Sequence, residues 1–353
     1  MSLDFFQKIP NKASVPIATI GTLLIPVAAS AHEVYVLGED TISHDMATVS
    51  PNPFIAYFGN EHAFFFWGVV SAITLLTIFF ASIFHVLERT LNPFFFWLKR
   101  FAHPLVRLTF GASLVACGVY GGLFGPEIPF SAVFGVTAPF MQIFFVGAGI
   151  LGIAGLFTRY VAGAMIFVYL YAALMMGAYI LTYANYFGEF GLLAILGSGR
   201  WSLDSILNSH TSKTLQYFAH RFEHLAFPLM RILFGFSIIF AAIYAKFIHS
   251  QLALDVVTEY HLTDYFHFEP LFIVLGALII ETLAGLMMVL GIGIRWTGLF
   301  LLFWLTLSLL YFGESVWPHL ILFGLGLALF FHGYDRYSLE GQFLKRRKIE
   351  PVL

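Results

Sequence analysis

The sequence predicts an all-α fold, a polytopic membrane helix bundle made of two tandem four-helix units and one extra N-terminal span. Three observations indicate this class: the composition, the distribution of charge along the chain and an internal duplication. Of the 353 residues, 59% are hydrophobic and 11% are charged, and the mean hydropathy is +0.84. Soluble domains carry about 25% charged residues. Because so few charges cannot cover this much apolar surface in water, the expected partner of the chain is a lipid bilayer.

Composition also argues against several functions. The net charge of −2 gives no basis for nucleic-acid binding. Cys117 is the single cysteine, which leaves no intramolecular disulfide and no dithiol relay. The sequence has no nucleotide-binding signature, no c-type haem motif and no cysteine set for an iron–sulfur cluster.

The N-terminal residues 1–31 have the pattern of a signal peptide. Lys8 and Lys12 precede an apolar run over 15–28, and the sequence Ala-Ser-Ala at 29–31 is typical of a cleavage site. The alternative is an uncleaved anchor helix, which would add one span. Residues 32–62 are then expected to form an extracytoplasmic segment.

Apolar runs predict nine membrane spans after this segment. They lie near 63–87, 104–122, 138–157, 160–182, 184–199, 228–249, 269–292, 295–313 and 317–333. If His32 is outside, the predicted inner loops hold nearly all Lys and Arg, including Lys99, Arg100 and the basic tail 345–348. The positive-inside rule therefore predicts a protein of the cell membrane, with its mature N-terminus outside and its C-terminus cytoplasmic.

Two parts of the chain repeat each other. Pro104-Leu-Val-Arg107 resembles Pro228-Leu-Met-Arg231, at an offset of 124 residues. Arg159 corresponds to Arg295, and the stretch 197–204 corresponds to 333–340, both at an offset of 136 residues. One 12-residue insertion in the second copy explains the change. Each copy has four spans, so the copies are parallel repeats.

The duplication divides the chain into seven predicted parts. They are a signal peptide (1–31), an extracytoplasmic segment (32–62), a lone span with its inner loop (63–103), a first four-helix unit (104–206), an inner linker (207–227), a second four-helix unit (228–342) and a basic cytoplasmic tail (343–353).

The second unit resembles the DoxX-like family of four-helix membrane proteins. The resemblance is carried by Arg231 with Gly235, Lys246-Phe247, Glu281-Thr-Leu-Ala-Gly285 leading to Gly291 and Arg295, and Gly333 to Glu340. The first unit matches in its scaffold, but Phe145 stands where Glu281 would align and no Lys follows its first span. Some members of this family are similar to the membrane subunit of thiosulfate:quinone oxidoreductases, and others belong to redox-stress assemblies. The resemblance thus implies a redox-associated subunit, linked to quinone or to another redox subunit.

Three ionisable residues inside or beside predicted spans are candidate catalytic groups: Glu281, Glu189 and Lys246. A carboxyl near the centre of a span costs several kcal/mol, which makes it a functional candidate for proton transfer or for binding a quinone head group. The alternative for Glu281 is a structural hydrogen bond between helices. The alternative for Lys246 is snorkelling toward the membrane surface.

Histidines concentrate on the predicted outer side and suggest a copper, zinc or iron site. After cleavage, His32 would be the N-terminal residue, whose amine and ring nitrogen form a histidine brace; His44 or His62 would supply the third metal ligand. Three functions stay open: a redox-associated subunit with a quinone, an extracytoplasmic protein that binds or transports a metal, and a membrane scaffold without chemistry.

Overall fold

The protein is a bundle of α-helices joined by short helical turns. The computed structural model describes residues 37, 39–58, 63–207 and 213–344. Within these ranges there is no β-strand, only an isolated bridge between Gly122 and Pro129. The helices are α1 (Glu39–Ala47), α2 (Pro53–Phe58), α3 (Ala63–Tyr120), α4 (Phe130–Phe134), α5 (Ala138–Ala154), α6 (Thr158–Met176), α7 (Ala184–Leu196), α8 (Leu203–Ile206), α9 (Lys213–Phe222), α10 (Ala226–Ile243), α11 (Ser250–Glu259), α12 (Pro270–Leu290), α13 (Ile294–Phe312) and α14 (Leu320–His332).

Six helical segments of the described chain are long and apolar enough to cross a membrane. They are Thr90–Tyr120, Phe130–Ala154, Thr158–Leu196, Ala219–Ile248, Pro270–Leu290 and Ile294–Phe312. A shorter apolar stretch, Trp317–His332, follows them. The predicted fold class, an all-α polytopic membrane bundle, is therefore confirmed.

Both four-helix units build the same corner at one end of the bundle. In the first unit Arg159 donates hydrogen bonds to the carbonyl oxygens of Ile195 and Leu196, each at 3.3 Å. In the second unit Arg295, 136 positions later, donates to the carbonyl oxygens of residues 330–332. Each arginine thereby satisfies carbonyl groups at a helix C-terminus, which lack partners within the helix. We call the end of the bundle that holds Arg159 and Arg295 the arginine end.

The short turn at the end of each unit closes this corner in the same way. The Asp204 carboxylate accepts a hydrogen bond from the backbone N–H of Phe157 at 3.0 Å, and the Glu340 carboxylate accepts one from Gly293 at 2.6 Å. The backbone N–H of Asp204 donates to the carbonyl oxygen of Gly155, and that of Glu340 donates to the carbonyl oxygen of Gly291. The equivalent atoms are again 136 positions apart, so the two corners share one pattern of hydrogen bonds.

The segment Thr158–Leu196 is a hairpin of two membrane passes. Its 39 residues exceed the roughly 20 that one span needs. Its two ends meet at the arginine end, where Arg159 binds the carbonyl groups of Ile195 and Leu196. The reversal lies in the 3₁₀-helical turn Gly177–Tyr183, between α6 and α7. This matches the two separate spans predicted over this part of the chain.

Helix α3 is continuous where the sequence analysis predicted a loop between two spans. A straight helix of its 58 residues would extend about 87 Å, nearly three times the thickness of a bilayer core. However, Phe65 lies beside Phe268, which precedes α12 in the chain. Tyr120 stacks on Trp317, which precedes α14. Both partners are at the end opposite the arginine end. The helical run must therefore bend back on itself.

The bend lies in the part of α3 that was predicted to be an inner loop. Pro93 and Pro104 occur inside the helix there, and each removes a backbone donor, a common cause of helix kinks. Glu88 lies 3.9 Å from the Arg295 guanidinium, and Phe95 lies beneath the same group. The expected loop is therefore helical because its residues pack against the second unit instead of entering solvent.

The two units meet along α3 and α7 of the first and α10 and α14 of the second. A Cβ atom on Gly188 of α7 would lie 3.1 Å from the Leu233 side chain of α10, and one on Gly324 of α14 would contact Thr109 of α3. Gly324 follows Gly188 by 136 positions, and Leu233 follows Thr109 by 124. The interface is thus approximately two-fold symmetric, with one small residue of each unit at the close approach.

Candidate functional site

Two candidate residues, Lys246 and Glu281, form an ion pair. The Lys246 Nζ atom lies 3.0 Å from Glu281 Oε2. The indole Nε1–H of Trp304 donates to the other carboxylate oxygen, Oε1, at 3.4 Å. The three side chains come from the segment after α10, from α12 and from α13. The site is therefore assembled by three helices of the second unit.

The position of Lys246 follows from a local change in helix type. After α10 the chain forms one π-helical turn, Tyr244–Ile248, and such turns are frequent at functional sites. Ala242 packs against Leu275 and Leu278 of α12. Lys246 lies one turn beyond Ala242, so its side chain must point back along α12 to reach Glu281. The ammonium group thus turns toward the middle of the bundle and does not snorkel outward.

Glu281 lies near the middle of α12, roughly 15 Å from either end at about 1.5 Å per residue. The site is nevertheless not sealed, because the Lys246 and Glu281 side chains are 13% and 19% exposed. Both residues belong to segments that are long and apolar enough to cross a membrane, Ala219–Ile248 and Pro270–Leu290. In a bundle that crosses a bilayer, their exposed surfaces face lipid. The ion pair therefore lies just below the lipid-facing surface of the second unit.

The first unit has no equivalent of this site. Phe145, at the position of Glu281, is fully buried, and its ring packs 4.8 Å from that of Phe130. Gly122 stands at the position of Lys246. Apolar packing therefore replaces the ion pair at this position of the first unit.

This arrangement suits the binding of a polar group that enters from lipid. A carboxylate and an ammonium at 3.0 Å attract each other strongly where the surroundings are apolar. The ammonium and the indole N–H are donors that can turn to a carbonyl oxygen, and the carboxyl group can give or take a proton. The site thus combines hydrogen-bond donors with a proton carrier.

Glu189, the third candidate, lies elsewhere, in the interface between the two units. It is on α7 and is 0% exposed. Thr109 of α3 lies near it, but the Thr109 hydroxyl donates to the carbonyl oxygens of Leu105 and Val106. Among the described residues neither Glu189 carboxyl oxygen has a hydrogen-bond partner. The structure therefore brings together two of the three candidates and leaves Glu189 apart from them.

Replacing Glu189 by Leu should stabilise the protein. The equivalent residue of the second unit is Leu325, which is also fully buried. An unpaired buried polar group costs about 1–3 kcal/mol, so Glu189→Leu should raise the free energy of unfolding by about that amount. Cys117 is the only cysteine and is buried, so a thiol-reactive fluorophore reports unfolding. Glu189→Gln, which keeps a polar group, is the control; a loss of stability in Glu189→Leu would contradict the reasoning.

The predicted metal ligands do not form a cluster in the part of the chain that the structure describes. His32 and His62 lie outside the described residues, and the His44 side chain is 78% exposed. No group of three or more His, Cys, Asp or Glu side chains that could hold a metal ion occurs within the described ranges. His319 instead pairs with Glu314 at 2.9 Å in a buried contact. The metal site stays a prediction.

The carboxyl group of Asp45, next to His44, is the main titratable feature on that side. It is buried where α1 packs against α11. Burial raises the pKa of Asp45 above its usual range; His44 opposes this shift, and nearby Asp255 adds to it. Asp255 in turn accepts a hydrogen bond from Gln251 at 2.8 Å. These contacts hold α1 on α11 and do not assemble a metal site.

Sequence analysis missed two groups of polar residues. Trp304 was not identified because a tryptophan in an apolar span carries no sign of its partner. A tyrosine cluster was also missed: Tyr179 and Tyr183 both donate to the Glu127 carboxylate, and Tyr186 shares a hydrogen bond of 2.8 Å with Ser113. The spacing of these tyrosines along one helical face would have indicated a buried polar stripe.

Comparison of the chain with protein-family models, with curated proteins and with solved structures finds no match. The resemblance to the DoxX-like family therefore stays a prediction, and the functional argument depends on the geometry of the site.

Proposed function

We propose that the protein is a redox-associated subunit of a membrane complex, and that Lys246 and Glu281 form the site where a quinone head group exchanges a proton. The observation that carries the proposal is the ion pair of 3.0 Å near the middle of α12, open to the lipid-facing surface. Charged groups at this depth are costly, which makes them candidates for a functional site.

A quinone fits the chemistry of this site. It travels in the apolar part of the bilayer, and its carbonyl oxygens accept hydrogen bonds. The Lys246 ammonium and the Trp304 indole N–H are suitable donors, and the Glu281 carboxyl group is suited to proton exchange. In this proposal electrons come from a second redox subunit.

The proposed orientation follows the charge distribution. The arginine end would face the cytoplasm, with the C-terminus, and the predicted mature N-terminus would lie outside the cell membrane. The partner redox subunit would then bind at either face, while the quinone enters laterally.

A native mass spectrum of the protein, purified gently from its own membranes, tests the proposal. We expect a stoichiometric adduct with the mass of a quinone on the wild-type chain. Glu281→Gln and Lys246→Met should each reduce its occupancy at least tenfold, because each change leaves the other group without its partner. Gln251→Ala, which removes a polar side chain outside the spans, is the matched control and should keep the adduct.

Two outcomes of this experiment contradict the proposal. An adduct that survives both substitutions would place the quinone elsewhere, and a wild-type chain without any quinone-sized adduct would favour a scaffold. The double variant Lys246→Glu with Glu281→Lys retains an ion pair, so it separates loss of the site from loss of the fold. The alternative function in metal handling gains no support within the described ranges; a stoichiometric metal on a chain that begins at His32 would revive it.

A further inference from the structure

A stripe of polar side chains runs into the first unit from the end opposite the arginine end. It begins at Glu127, a partly exposed residue in the loop between α3 and α4. Tyr179 and Tyr183, in the turn between α6 and α7, both donate to the Glu127 carboxylate. About one turn further along, the hydroxyl of Tyr186 on α7 lies 2.8 Å from the hydroxyl of Ser113 on α3. These hydroxyl groups carry the stripe into the interior of the bundle.

The stripe ends at Glu189, which is fully buried and whose carboxyl oxygens have no hydrogen-bond partner among the described residues. Glu189 follows Tyr186 by about one helical turn, and side chains on an α-helix lean toward its N-terminus, which here is the direction of Tyr186. On the facing helix Thr109, which lies near Glu189, precedes Ser113 by one turn. One turn is about 5.4 Å, a distance that the flexible Glu189 side chain can cover. The carboxyl group is therefore within reach of the last hydroxyl groups of the stripe.

On the other side of Glu189 the same two helices are apolar. Leu192 and Leu193 of α7 and Val106 of α3 are fully buried. The next polar side chain of α3 in that direction, Arg107, is bound to carbonyl oxygens at the arginine end. The stripe thus leads from one surface of the bundle to Glu189 and stops there.

The equivalent positions of the second unit are apolar. Leu325 stands at the position of Glu189 and is also fully buried, and Leu322 stands at the position of Tyr186. The fold therefore does not need a polar side chain at either position. A buried carboxyl group without a partner is costly, so its presence in the first unit points to a role other than packing.

Glu189 is the group of this interface that can store a proton. Cys117 of α3 also titrates and its thiol lies beside Tyr186, but a thiol already carries its proton at neutral pH. From the other two helices at the interface, α10 presents Leu233 and α14 presents Gly324, neither of which titrates. Tyr186 itself can relay a proton, because a phenol hydroxyl both donates and accepts.

We infer that the stripe is a proton path, which loads the Glu189 carboxyl group from the membrane surface opposite the arginine end. A proton from water binds to Glu127, and each hydroxyl group then accepts one proton and passes its own to the next group. At the end of the path the Glu189 carboxylate becomes a carboxyl group. The reverse sequence returns the proton to water, and no electron moves in either direction. The path lies apart from Lys246 and Glu281, so it does not rest on the proposed function.

Isotope exchange at Glu189 tests this inference. The full-length protein is reconstituted in nanodiscs, and water is replaced by deuterated water while infrared spectra record the C=O stretching band of carboxyl groups. The part of the band that is lost in Glu189→Gln belongs to Glu189, and its shift reports the replacement of the proton by a deuteron. We expect exchange in the wild-type chain and a rate lower by about tenfold or more in Tyr186→Phe, which removes one hydroxyl from the path. Tyr169→Phe removes a buried hydroxyl outside the path, one bound to the carbonyl oxygen of Ile180, and should keep the wild-type rate.

Two further variants separate the path from a local effect of Tyr186→Phe. Ser113→Ala removes the neighbouring hydroxyl from α3, and Glu127→Gln removes the proton acceptor at the entrance, so both should also slow the exchange. An unchanged rate in all three variants would overturn the inference. A lower rate in Tyr186→Phe alone would indicate altered packing and would overturn it as well. So would a wild-type spectrum without a Glu189 carboxyl band, or with a band that does not shift in deuterated water.

Discussion

Replacing Arg231 by Met is expected to cause the largest loss of stability among single substitutions at the arginine end. Arg231 is 1% exposed, and its Nε atom lies 2.7 Å from the Asp335 carboxylate. It also donates to the carbonyl oxygens of Met288 and Val289 at the end of α12. Removing one partner of a buried ion pair costs about 3–5 kcal/mol, because the other charge stays buried without compensation.

The duplication supplies a matched control for this prediction. Arg107, the equivalent of Arg231, donates to carbonyl oxygens within the described ranges, those of Ser198, Arg200 and Trp201. Gly199 stands where the second unit has Asp335. Arg107→Met should therefore lose hydrogen bonds but leave no buried ion-pair carboxylate without its partner. Its loss of stability should be smaller than that of Arg231→Met by about 2 kcal/mol.

A second change isolates the electrostatic part of the effect. In the double variant Arg231→Met with Asp335→Asn, the stranded charge is removed, and part of the stability should return. Unfolding is followed by the exposure of Cys117 to a thiol-reactive fluorophore in detergent. Equal losses in Arg231→Met and Arg107→Met, or no recovery in the double variant, would show that the ion pair does not determine the stability of this corner.

The architecture could be predicted because lipid limits the possible structures. A chain this apolar must satisfy its backbone within each segment, so apolar runs become helices. The repeated arginine, glycine and acidic residues also identified the corners that both units share. The error at 88–103 has a physical cause: the charges there suggested a solvated loop, but Glu88 is buried and pairs with Arg295 and Tyr334 of the second unit. Sequence alone does not indicate such distant partners.

The candidate site could be predicted only residue by residue. Glu281 was recognisable as a carboxyl group within an apolar run, and Lys246 as a lysine at the end of one. Their pairing depends on the π-helical turn Tyr244–Ile248 and on the contact between α10 and α12, and neither leaves a local pattern.

The two units share a scaffold and differ at the candidate site. Arg159 and Arg295 make equivalent hydrogen bonds to the carbonyl oxygens of Ile195 and Phe331. The second unit has an ion pair where the first has Phe145. Each unit has thus kept its fold and differs in a buried position that the fold tolerates.

The last prediction concerns the contact that places Lys246 opposite Glu281. A Cβ atom on Gly285 of α12 would lie 2.7 Å from the carbonyl oxygen of Gly235 on α10 and 2.7 Å from the Ile239 side chain. Because no such contact is sterically possible, Gly285→Ala must push the helices apart. Overpacking of this kind costs about 1–3 kcal/mol, and more where the obstacle is backbone.

Gly276, on the same helix, is the control. A Cβ atom there meets nothing within 4 Å, so Gly276→Ala should leave the stability unchanged or raise it by up to about 1 kcal/mol, since alanine favours a helix. Gly285 lies one turn from Glu281, so separation of the helices should also lengthen the ion pair. Gly285→Ala should therefore lower quinone occupancy together with stability, and Gly276→Ala should lower neither. The opposite outcome is that Gly285→Ala reduces stability and leaves the quinone occupancy intact. The site would then not depend on how α10 packs on α12, which would contradict the proposed role of the ion pair.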